Sequence, residues 1–160
     1  MMNVFSSMGA SVNAFTSNNE TVYYFTKTGG DIEEPLNLLL DFVQELNITD
    51  KSVDKEKGII AQEVAMYMQM PDQKLLSETY KSLYHNHPIK NDIGGDKKSI
   101  YAITKKELET CYNINYHPSN MVLCITTPLD PKTIIRIVRS NQKAKKFKKA
   151  NKPTICDLPE

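Results

Sequence analysis

Ser11-Val12-Asn13-Ala14-Phe15-Thr16 and Thr21-Val22-Tyr23-Tyr24-Phe25-Thr26 are two runs rich in β-branched and aromatic residues, with Ser17-Asn18-Asn19 between them. Val, Phe, Tyr and Thr suit a pleated, half-buried surface, and a short polar break between two such runs predicts a β-hairpin. Upstream, residues 3–8 read as the last turns of a helix stopped by Gly9, because glycine is the usual residue just past a helix end. Gly29-Gly30 closes the hairpin downstream. Almost everything that follows has helical spacing, so the hairpin is what makes the fold mixed.

Asp31 stands where an N-cap belongs, Glu34 falls three residues later as in a capping box, and Leu36, Leu39, Leu40 and Val43 follow at helical spacing. This predicts a helix over 31–46. A second helix is expected from Asp50 to about Met70, with Val53, Ile60, Val64 and Tyr67 on its inner side, and a third over 72–84 after Pro71. His87-Pro88 opens a loop that runs through Gly94-Gly95, and Thr104 with Glu107 forms a second capping box ahead of a helix over 104–116. Met121 to Thr127 is a short apolar run between His117-Pro118-Ser119-Asn120 and Pro128, the length and flanks of a buried strand. A last helix runs from Asp130 to about Lys146. The expected class is α+β, with helices packed on one face of a mainly antiparallel sheet of three strands.

With 160 residues, 40% of them hydrophobic and 24% charged, the chain is excluded from the collagen-like and wholly disordered classes. No apolar run approaches the ~18 residues of a membrane span, so a membrane partner is not expected. Cys111, Cys124 and Cys156 are an odd number without a Cys-x-x-Cys pair. They read as reduced, buried thiols of a cytoplasmic protein. Residues 132–152 hold nine Lys or Arg and no acid. Without an aromatic platform beside them, these charges read as a solvated helix end running into a linker, and nucleic acid is not the expected partner.

Glu56 and Glu63 are seven residues apart on the second predicted helix, which returns both carboxylates to one face two turns apart. Such a pair can hold a metal or orient a ligand, although the stretch from Asp50 to Lys57 is already a charged surface. His85 and His87 have a His-x-His spacing but lie in a loop before proline, and His117 reads as a cap or turn residue. The small residues in the stretch Gly9 to Thr16 leave room for another backbone to add beside an edge strand, or simply serve a tight helix-to-strand crossing.

Gly9-Ala10-x-x-Asn13-Ala14-x-Thr16, Thr21-x-Tyr23, Leu39-x-x-Phe42 and Glu56-x-x-x-Ile60-x-x-Glu63 follow one another as do the blocks of the pitrilysin/insulinase family of inverted zinc peptidases. His87-Pro88, Gly94-Gly95, Ile103-Thr104 and Tyr116-His117-Pro118-Ser119-Asn120-Met121 resemble its later blocks. The resemblance covers nearly the whole chain, and is strongest to the bacterial processing-peptidase-like branch. In that family a His-x-x-Glu-His helix supplies two zinc ligands and the general base. By motif position the resemblance implies Glu63 as the third zinc ligand, Glu56 as a carboxylate supporting the site, and Asn13 and Ala14 as backbone that holds the substrate peptide.

The family places its His-x-x-Glu-His helix before the Gly-Ala-x-x-Asn-Ala block, and this sequence contains no such motif. The expectation is therefore a fragment of a zinc metalloendopeptidase, with no catalytic residue of its own, inactive as given, and unable to hold zinc stably alone. The alternative is a non-catalytic relative serving as a binding or assembly module. Residues 1–130 are expected to form a partial peptidase-like domain, and 131–160 a basic helix and linker to a missing following domain. Expected partners are a peptide substrate in the complete protein and a family partner subunit, or self-association through apolar surface left uncovered.

Overall fold

The computed structural model describes residues 2–147, which divide into two compact units. The first comprises residues 2–16, 20–46 and 111–147; the second is built on 47–110.

In the first unit, helix α1 (Met2–Ser7) ends at Gly9, whose φ of 71° is the left-handed conformation that favours glycine. The hairpin follows as β1 (Ala10–Thr16) and β2 (Thr21–Lys27), antiparallel, with Ala14 opposite Tyr23 and Asn13 opposite Tyr24. Gly29 and Gly30, at φ 70° and 73°, turn the chain into α2 (Glu33–Gln44). Phe5 is fully buried against Ala10 and Leu39, with Val12, Tyr23, Phe25 and Val43 packed around them. Alternation on the strands and the helical period on α2 thus point at one core. Helix α7 (Pro131–Lys143) packs on α2 and buries Ile134 and Ile137.

Within the second unit, α3 (Asp50–Tyr67) is opened by a capping box in which Thr49 Oγ1 accepts from the Ser52 amide and Ser52 Oγ accepts from the Thr49 amide. It is followed by α4 (Pro71–Leu83) and, after a single turn at Pro88–Lys90, by α5 (Lys97–Ala102), which packs on α3. Helix α6 (Lys105–Asn115) begins with the expected box: Glu107 Oε2 accepts from the Thr104 amide at 2.7 Å, and Thr104 Oγ1 accepts from the Glu107 amide at 3.3 Å. Residues 105–110 of α6 count with the second unit and 111–115 with the first.

The class is α+β, as expected, but the sheet has two strands among the described residues. Met121 to Thr127 is no strand: it pairs with nothing there, and Val122 is 90% exposed. An apolar run becomes a strand only where a neighbour supplies the ladder, and among the described residues this one has none. Asp31 is not the N-cap of α2 either. Ile32 occupies that place without a side-chain bond, while Asp31 Oδ1 accepts from the Glu33 amide and makes a turn one residue earlier. On α3, Val53 alone is buried; Ile60 and Tyr67, expected inside, are 39% and 43% exposed. Cys111 and Cys124 are exposed thiols, not buried ones, and Cys156 lies outside the described residues.

Candidate functional site

The uninterrupted α3 carries Glu56 and Glu63, and seven residues at ~1.5 Å each put them on one face about 10 Å apart along its axis. Both side chains are exposed, and among the described residues neither carboxylate takes part in a hydrogen bond or ion pair. Neighbouring charge is used elsewhere, since Lys57 pairs with Asp54 at 3.4 Å. Next to Glu63, Val64 receives the turn at Gly94: a β-carbon built there would lie 2.7 Å from Val64 Cγ2. Only glycine lets the turn approach α3 so closely, and Asp92 Oδ1 braces it by accepting from the Gly94 amide at 2.8 Å.

Among the described residues no three His, Cys, Asp or Glu converge as a metal-holding group. The donors present therefore do not fit zinc by themselves, which needs three or four ligands; Glu63 can supply one oxygen. His87 Nδ1 accepts from the Ile89 amide at 3.1 Å, and His117 Nδ1 accepts from the Ser119 amide at 3.1 Å. His117 is thus the turn residue its sequence context predicts. His85 is exposed, and its carbonyl accepts from Lys90 Nζ at 2.6 Å.

In the first unit, β1 pairs on one side with β2, and among the described residues its other edge has no strand partner. From Asn13 to Thr16 every side chain is exposed. Asn13 Oδ1 accepts from the Ala14 amide at 2.8 Å, occupying that donor within the strand itself. Glu56 and Glu63 thus belong to the second unit, Asn13 and Ala14 to the first.

A group that motif reading missed lies behind this edge. The hydroxyls of Tyr23 and Tyr116 are 2.8 Å apart, Tyr116 stacks on Tyr112 with ring centroids 4.7 Å apart, and Tyr112 Oη donates to the Val43 carbonyl at 2.8 Å. Burial, then the bond to Tyr116, holds the Tyr23 phenol well above its ordinary pKa. The four-residue spacing of Tyr112 and Tyr116 was a visible signal that they share a helix face.

The basic run also acquires a geometry. Lys132, Arg136, Arg139 and Lys143 form the exposed face of α7, opposite Ile134 and Ile137. Lys145 turns inward to Asp41 at 2.6 Å, and Arg136 reaches Glu33 at 3.6 Å.

Residues 1–97 match the family model described as Insulinase (Peptidase family M16), and residues 102–159 match the Peptidase M16 inactive domain. The chain is 48% identical over 143 residues to YmfH of Bacillus subtilis, an uncharacterized zinc protease, covering 89% of this chain and 33% of that protein. It is 27% identical over 131 residues to an uncharacterized zinc protease of Rickettsia felis, covering 82% of this chain and 32% of the other. The crystal structure of an M16-like peptidase from Alicyclobacillus acidocaldarius superposes with a TM-score of 0.90 at 45% identity, over 93% of this chain and 35% of that one. The chain spans about a third of the length of the relatives it matches.

Proposed function

This chain belongs to the insulinase (M16) peptidase family, and from that premise we propose that it is part of a zinc-dependent metalloendopeptidase that hydrolyses peptide bonds. The observation that carries the reading is Glu63: an exposed carboxylate on α3, free of bonds among the described residues, at the position where the family motif has its third zinc ligand. Glu56, on the same face, supports the site from two turns away. The backbone of Asn13 and Ala14 receives the substrate as an added strand, the incoming carbonyl replacing Asn13 Oδ1 at the Ala14 amide. Two histidines and a general base would come from residues that this sequence does not contain, so the chain alone is inactive. Residues 131–160 lead into a following domain of the longer protein, and the unpaired cysteine pattern supports a cytoplasmic setting.

Zinc content tests the assignment. A longer protein joining this chain to a His-x-x-Glu-His helix should bind about one zinc ion and lose it on Glu63→Gln, while this chain alone hydrolyses no peptide. Zinc retained by the Glu63→Gln protein would remove Glu63 from the ligand set. A second reading, a non-catalytic binding or assembly module, predicts peptide capture with no zinc dependence.

A further inference from the structure

We propose that Tyr116, acting through the phenol of Tyr23, is a positioning residue that sets the free edge of β1 at Asn13-Ala14 for an incoming strand. This rests on the peptide-binding reading of that edge. No side chain from Asn13 to Thr16 is buried, so this half of β1 has no anchor of its own. Its place in space comes through the ladder, and the residue opposite Ala14 is Tyr23. The Tyr23 ring lies edge-on to Phe42 of α2 and to Tyr116, with centroids 6.1 Å and 6.2 Å away, and its hydroxyl bonds to that of Tyr116. Tyr116 is held in turn by its stack on Tyr112, whose hydroxyl is tied to the Val43 carbonyl near the end of α2. A continuous strut therefore runs from the helix backbone through three phenols to the strand opposite Ala14. Rings alone would fill the volume. The paired hydroxyls add a directional bond that fixes the height of the ladder, and strand addition demands that fixed height because its hydrogen bonds fail within a few tenths of an ångström.

The test uses the chain as it stands, with Tyr116→Phe, Tyr23→Phe and the double variant. Three quantities are read: melting temperature, hydrogen exchange at residues 13–16, and affinity for a short labelled peptide of alternating Thr and Val. Each single variant orphans one hydroxyl and should speed exchange at 13–16 by about tenfold and weaken capture by a similar factor. The double variant orphans none, so its melting temperature should return toward that of the unaltered chain while the edge stays loose and binds weakly. Edge exchange and capture that recover together with melting temperature in the double variant would overturn the proposal, since the hydroxyls would then matter only for stability. Unchanged exchange in the single variants would overturn it as well. If the unaltered chain captures no peptide, the strand-addition reading fails separately, and exchange at 13–16 still decides whether Tyr116 positions the edge.

Discussion

Tyr23 combines two demands on one side chain: its ring fills the core beside Phe42 and Leu39, and its hydroxyl must be satisfied within that half-buried place. Burial and the Tyr116 hydroxyl both favour the neutral phenol, so its folded pKa lies above the unfolded value of about 10. A raised pKa gives stability that is complete below the unfolded value and is lost as pH rises through the folded one. Burial raises the Tyr112 phenol as well, so phenolate absorbance should show Tyr23 and Tyr112 titrating late, and the alkaline fall in melting temperature should shrink in Tyr23→Phe. A titration in which every tyrosine ionises near the ordinary value would contradict the geometry. This cluster was poorly legible in the sequence, because three tyrosines separated by up to 93 positions converge only through tertiary packing. His117 was legible, because a histidine before proline caps its own turn locally. The role proposed for Glu63 rests on motif position alone, because its spacing from Glu56 is common on charged helix surfaces.

Among elements, those set by local chemistry matched their reading closely, as with α6, whose Thr104–Glu107 box lies within four consecutive residues. Met121 to Thr127 did not, because a strand depends on a partner that no local pattern supplies. The packing of α7 on α2 is polar at one end. Gln44 and Gln142 exchange amide hydrogen bonds at 3.0 and 2.8 Å, and Asp41 accepts from Lys145 Nζ and Asn141 Nδ2. Burial pushes the Asp41 carboxyl up, but the bonds from Lys145 and Asn141 outweigh it and hold the group below its usual range. A depressed carboxyl contributes stability that is present above the unfolded value, about 4, and lost as pH falls through the lower folded one. Asp41→Asn should lower the melting temperature at neutral pH, by a modest amount because the pair is partly solvated, and the gap should close below that value. A gap independent of pH would mean that the charge plays no part in the clasp. By contrast, Ile137→Ala should cost about 2–5 kcal/mol in chemical denaturation, since it opens a cavity beneath the helix.

For the molecule as a whole, the distribution of buried apolar side chains is unequal. The first unit buries Phe5, Ala10, Leu36, Leu39, Ile134 and Ile137, whereas the second buries only Val53 and Ile100 among its described hydrophobic residues. On α4, Leu75 and Leu83 are 69% and 67% exposed. Hydrogen exchange should therefore be slowest in α2 and β2 and fastest in α4, and sedimentation should show association that rises with protein concentration. Equal protection in both units, with a monomer at every concentration, would contradict this account. The exposed face of α7 has a practical consequence of a different kind. Residues 20–45 hold six acids against Lys27 alone, residues 132–146 hold six cations and no acid, and the chain's formal charge is +1. The average thus conceals two oppositely charged stretches. A sulfonated resin meets Lys132, Arg136, Arg139 and Lys143 in a row rather than the average, so the protein should be retained on cation exchange even above its pI of about 7.7, and released by salt rather than by pH.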